Sequence, residues 1–136
     1  MEDVVCAVVA GELDAEVVLR TDDVIAFLDH RPVFKGHVLV CPVRHVGDLT
    51  DLPDELLVPL FAAARRVAAA VGPALGAQGS FVAVNNVISQ SVPHLHVHVV
   101  PRSKGDGLRG FFWPRTRYAV GELADYGERL RRALAD

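Results

Sequence analysis

The chain has 136 residues and a mass of 14.7 kDa, the size of one ordinary domain, with 51% apolar and 23% charged residues. That composition is globular and excludes a disordered chain, and at this length roughly two thirds of the unfolded surface can be buried without disulfide staples. Fourteen basic against 17 acidic residues give a net charge of −3, which argues against a protein that tracks along a nucleic-acid polymer. Cys6 and Cys41 each sit in an apolar setting and read as reduced thiols of a cytoplasmic protein, not as a disulfide framework.

The opening Met1–Glu2–Asp3 has the wrong charge for an export signal. Residues 4–10 are short and apolar and stop at Gly11. Residues 16–20 and 24–28 read as two strands around the turn cluster Thr21–Asp22–Asp23. A turn through Lys35–Gly36 leads into a third strand at residues 37–41, ended by Pro42. Leu56, Leu60, Ala64, Val67, Ala68 and Val71 recur at helical steps and predict an amphipathic helix that Gly72–Pro73 closes. Pro53, Asp54 and Glu55 suit its first turn, while Pro59 requires a later start or a kink. Residues 67–101 carry no formal charge, yet glycines, prolines, asparagines and histidines interrupt them, so they read as protein interior and not as a membrane span. Strands follow at residues 80–84 and 95–100, and Leu123, Tyr126, Leu130 and Leu134 mark a C-terminal helix. The expected class is α+β, a single domain over residues 1–136 with an antiparallel sheet of about five strands, one long helix and a C-terminal helix.

Six histidines are present, and three of them form His94–Leu95–His96–Val97–His98 followed by Val99–Val100. On a strand the three imidazoles would line one face at steps of roughly 6.5–7 Å while Leu95, Val97 and Val99 enter the core. Three readings follow: a solvated polar face, a metal site, or nucleophilic and acid–base catalysis. Arg102, Lys104, Arg109, Arg115 and Arg117 against Asp106 give a local charge of +4, suited to an anionic substrate such as a phosphate ester. Asn85, Asn86, Ser89, Gln90 and Ser91 add uncharged hydrogen-bonding groups just before the histidines.

The run from His94 to Val100 matches the His-φ-His-φ-His-φ-φ signature, and the chain resembles the histidine triad (HIT) nucleotide hydrolases and transferases along almost its whole length. Phe27–Leu28–Asp29, Gly36–His37–Val38, Gln90–Ser91–Val92 and Pro101–Arg102 carry the resemblance on either side of the triad. It implies that His96 attacks the α-phosphorus of a purine nucleotide to give a nucleotidyl-histidine that water then cleaves. It further implies that His98 contacts phosphate and handles the leaving group's proton, that His94 orients the site, and that His37 supports it. Asp29 would grip the ribose, Asn85 or Asn86 a phosphate oxygen, and Gln90 and Ser91 the scissile region. A homodimer that binds neither a nucleic-acid polymer nor a membrane is implied as well.

The stretch from Asn85 to Gln90 is shorter than the family's usual one. Zinc-bearing branches carry Cys-x-x-Cys and two histidines; matching Cys6 to the first cysteine puts Val9 at the second, so with His45 and His94 only three ligands are found and no metal is expected. No cofactor is expected to be essential, although a divalent cation such as Mg²⁺ is compatible with a polyphosphate substrate. Arg102, Lys104, Arg109, Arg115 and Arg117 favour a diadenosine polyphosphate; the alternatives are a nucleoside phosphoramidate or nucleotide binding without turnover.

Overall fold

A computed structural model describes residues 3–108 and 115–135. The chain falls into two compact units, Met1–Asp106 and Gly107–Asp136. In the first, the order is α1 (Val4–Val9), β1 (Val17–Arg20), β2 (Val24–Leu28), β3 (Val38–Pro42), a 3-10 turn (Leu49–Asp51), α2 (Asp54–Leu75), β4 (Gly79–Ala83) and β5 (Val97–Arg102). The five strands make one antiparallel sheet in the order β1-β2-β3-β5-β4. The second unit contains α3 (Glu122–Leu134), an amphipathic helix none of whose residues is buried.

The period-two alternation of the strands sorts side chains onto two faces. Val24, Ala26, Val38, Val40, Val97 and Val99 face α2, where Leu56, Leu60, Ala63, Ala64 and Val67 complete the larger core. Ile25, Phe27 and Cys41 face the other way and meet Val5 and Val8 of α1. His37 and His98 share the parity of this second face, so α1 and the histidines lie on the side of the sheet away from α2.

α2 is long and apolar enough to cross a membrane by length and composition, but its buried stripe, Leu56 to Val71, packs on the sheet as a core helix. It starts at Asp54, with Pro53 just outside it, and runs past Gly72–Pro73 to Gly76, whose φ of 74° ends it in the left-handed region. The sequence placed its end three residues early. Pro73 removes only a last-turn hydrogen bond, and Gly76 supplies the conformation a helix end needs. Gly36, at φ 94°, is required because its conformation is left-handed, and it lies close against the tip of the Leu75 side chain of α2. That close approach brings the chain into β3 with His37 at its head.

Candidate active site

A cavity of about 300 Å³ opens on the α1 side of the sheet, lined by Phe27, Asp29, Arg31, Ser91, His96 and His98 among others. A second opening of about 880 Å³ shares Phe27, Leu28, Asp29 and His30 with it and extends to Leu13, Asp14 and Glu16. His98 enters from β5 opposite Leu39 of β3, and His96 precedes the same strand. Their rings meet edge to face with centroids 4.9 Å apart. His37 and His96 are buried, at 3% and 5% exposure.

The hydrogen bonds assign the protons of all three rings. His96 Nδ1 lies 2.7 Å from the carbonyl oxygen of His94, which can only accept, so Nδ1 carries the proton and the lone pair is on Nε2. The Val33 amide donates to His37 Nδ1 at 3.1 Å, so the His37 proton is on Nε2, which donates to His98 Nδ1 at 2.9 Å. His98 must then carry its proton on Nε2, and this buried atom has no partner among the described residues. An unpaired buried donor is costly unless a ligand uses it. Burial pushes His98 down to about 4, helped by the neighbouring His96 and His37 against the opposing Asp29 carboxylate. Burial also lowers His37, again against the pull of Asp29. Both rings are therefore neutral at pH 7. The site offers a free imidazole lone pair on His96 and a neutral N–H on His98.

Asp29 lies at the mouth of this cavity, with Oδ1 accepting from the Arg31 amide at 2.9 Å and Oδ2 3.7 Å from His37 Nδ1. Ser91 lines the cavity. Asn86 and Gln90 are placed differently from the sequence expectation. Asn86 Oδ1 accepts from the Leu49 amide at 2.9 Å, while Gln90 accepts from the Val87 amide and donates to the Gly47 carbonyl at 2.6 Å. These amides tie the loop before the triad to residues 47–49, and Asn85 is the one of the two asparagines without that duty. Val87 and Ser89 hold φ values of 68° and 63°, a strained conformation that a short loop without glycine has to accept.

Arg102 and Lys104 are not brought to the cavity. Arg102 is four residues beyond His98 on β5, roughly 13 Å along the strand, and pairs through Nε and Nη2 with Asp106. Lys104 follows it, its amide donating to Gln78 Oε1. Placing them beside the triad by sequence alone ignored the reach of an extended strand. Arg109 and the cluster Phe111–Phe112–Trp113 lie outside the described residues.

The HIT domain profile matches residues 10–105, which span the sheet, α2 and all three triad histidines. The chain belongs to the HIT family. An uncharacterised HIT-like protein of Mycobacterium tuberculosis is 40% identical over 99% of this chain and 94% of its own length. An adenosine 5′-monophosphoramidase of Schizosaccharomyces pombe is 30% identical over 96% of each chain. A bis(5′-nucleosyl)-tetraphosphatase (asymmetrical) of the same yeast is 37% identical over 68% of this chain and 52% of that one. Among solved structures, a HIT family member from Bacillus subtilis superposes with a TM-score of 0.89 at 31% identity, covering 100% of this chain and 99% of that one. A zinc-bound histidine triad protein from Mycobacterium smegmatis does so with 0.72 at 37% identity, covering 96% and 91%.

In this HIT protein the first triad histidine has separate surroundings. The His94 ring is wholly buried and stacks edge-on with His45, centroids 5.1 Å apart, and not with His96. The three imidazoles thus do not form the single row expected, because β5 begins only at Val97. Around His94 Nδ1 gather His45 Nδ1, Cys6 Sγ and a carboxylate oxygen of Asp3, all within 4.8 Å of one another. The count of three metal-ligand candidates is corrected to four. Cys6 is the second residue of an Asp3-x-x-Cys6 pair, not the first of a pair ending at Val9. Asp3 was missed because its side chain also reads as an ordinary helix cap: Oδ1 accepts from the Cys6 amide at 2.8 Å.

Proposed function

We propose that the protein hydrolyses nucleoside 5′-phosphate derivatives at the α-phosphorus through a covalent intermediate on His96. The observation that carries this reading is the proton order of the three rings, which leaves a lone pair on His96 and an unpaired N–H on His98 at one cavity. In the first step His96 Nε2 bonds to phosphorus, and the bond from phosphorus to the leaving group breaks with its electron pair. The departing atom takes a proton from solvent as it leaves, and the neutral His98 Nε2–H stabilises charge developing on the oxygens there by hydrogen bonding. Water then bonds to the same phosphorus and gives up a proton to solvent, the N–P bond breaks with its electron pair returning to His96 Nε2, and the nucleoside monophosphate departs. Asp29 would accept the ribose hydroxyls, Ser91 and Asn85 are the candidates for phosphate oxygens, and the base would lie in the larger opening beyond Asp29.

The leaving group we favour is small. Arg31 is the cation lining the cavity among the described residues, whereas Arg102, which had pointed to a polyphosphate, pairs with Asp106 at the far end of β5. Similarity to a monophosphoramidase along nearly the whole of both chains supports the same reading. A diadenosine polyphosphate is the second reading, supported by the similarity to half of a tetraphosphatase. We also propose a homodimer, since α2 exposes Leu57, Val58 and Phe61 on its outer side.

Turnover of adenosine 5′-phosphoramidate and of diadenosine tetraphosphate, followed by release of AMP, tests the function. Faster turnover of the phosphoramidate is expected, and His96→Ala should abolish AMP release with either substrate while nucleotide binding persists. Binding without release by the wild type would make the protein a nucleotide-binding module, and undiminished rates in His96→Ala would remove the nucleophile.

A further inference from the structure

We propose that the hollow between the sheet and the C-terminal half of α2 binds a free fatty acid, with its hydrocarbon chain inside and its carboxylate at Lys35 and Arg66. This cavity of about 510 Å³ lies on the face of the sheet away from His37 and His98. Leu28 and Val38 of the strands and Val67, Val71 and Leu75 of α2 form its walls. Ala70 and Ala74, one turn apart on the same face of the helix, carry too little side chain to fill the space, and Gly36 carries none. Leu75 is 57% exposed and Val18, on the edge strand β1, 53%, so apolar surface that the core does not use stays open to water.

The lining selects the chemistry of the ligand. Lys35 and Arg66 are the only lining residues with a charged or hydrogen-bonding side chain, and no acidic residue stands beside them. Neither side chain has an ion pair or a hydrogen bond among the described residues. A nucleotide or a sugar needs donors and acceptors spread along its length, and a peptide brings backbone amides that apolar walls would leave unpaired. An aliphatic chain ending in one anionic group needs only what is present: apolar walls for the chain and cations for the head. Both basic side chains can lay their stems along the apolar wall and keep their charges at the water's edge. Leu28 also lines the catalytic cavity, so the two hollows meet at the end of β2 and a test has to tell them apart.

Binding is read here without turnover, so this site stands or falls apart from the proposed reaction. Titration calorimetry of the full-length protein with sodium decanoate, kept below its micelle concentration, should give one saturable site per chain. Octanoate should bind about tenfold more weakly, because it buries two fewer methylenes. It should nevertheless bind about fivefold more tightly than 1-octanol, an advantage that added salt reduces. Ala70→Leu fills the hollow and should weaken decanoate at least tenfold, while His96→Ala should leave it unchanged. Should Ala70→Leu fail to fold, the double variant Lys35→Gln, Arg66→Gln provides the check, because it changes only exposed side chains and should bind octanoate no better than octanol. The absence of saturable binding overturns the proposal, including the case in which another segment of the chain or a second copy covers the hollow. Octanol binding as tightly as octanoate to the wild type overturns it too. So does decanoate binding that survives Ala70→Leu and is lost in His96→Ala, which would put the ligand in the catalytic cavity.

Discussion

At the site, what each ring nitrogen faces matters more than which residues are present. Asp29 shows the same economy: one oxygen holds the turn into Arg31, and the other stands 3.7 Å from His37 Nδ1 at the edge of the cavity. If that carboxylate grips the ribose, Asp29→Ala removes a charged hydrogen bond of about 1.5–3 kcal/mol, a loss of roughly tenfold or more in kcat/KM. The loss should appear with a ribonucleotide substrate and be much smaller with its 2′-deoxy analogue. Equal losses for both would take the ribose contact away from Asp29. The core positions Leu95, Val97 and Val99 were legible from strict alternation in the sequence. The proton order was not, because it depends on the Val33 amide and the His94 carbonyl, which are backbone groups that a sequence does not place.

The elements follow local rules until tertiary contact overrides them. α2 reads clearly because its apolar period is long, and its buried residues are those the period predicts. Its end was misjudged because Gly72–Pro73 looks like a stop when the packing of Leu75 over Gly36 is unseen. Arg102 was likewise assigned to phosphate because a basic run beside a histidine triad says nothing about how far an extended strand carries it. Leu60 lies at the centre of the helix's buried stripe with 0% exposure, while Val58, two residues before, is 75% exposed. Leu60→Ala should therefore cost about 2–5 kcal/mol through the cavity it leaves, and Val58→Ala less than about 0.5 kcal/mol. Urea denaturation of the two variants measures the difference, and similar midpoints would contradict the packing of α2 on the sheet.

For the molecule as a whole, the depressed histidines make stability depend on pH. In the unfolded chain His98 takes up a proton near the ordinary value of 6.5, whereas in the fold it stays neutral down to about 4. His37 is shifted in the same direction. The unfolded state then binds more protons than the folded one within that window, so the stability these rings contribute is intact above about pH 6.5 and is lost as the pH falls toward 4. The urea midpoint should decline from pH 7 to pH 5, and His98→Asn should flatten the decline; a midpoint that holds steady over that range in the wild type would show that the rings are not buried neutral. A second test at this scale is sedimentation at micromolar concentration, where the proposed homodimer should run at about twice the 14.7 kDa of the chain. A species of chain mass would rule it out.

Val33 is 53% exposed, in the loop ahead of β3, where an amide would ordinarily exchange its hydrogen with solvent quickly. Its amide instead points inward and ends on an imidazole nitrogen. Protonating His37 fills the lone pair that receives this hydrogen, and the amide is then set loose. Deuterium uptake at this one backbone position thus becomes a gauge of the charge state inside the cavity, readable from the surface without a substrate. It should be slow while the rings are neutral and quicken in step with their titration.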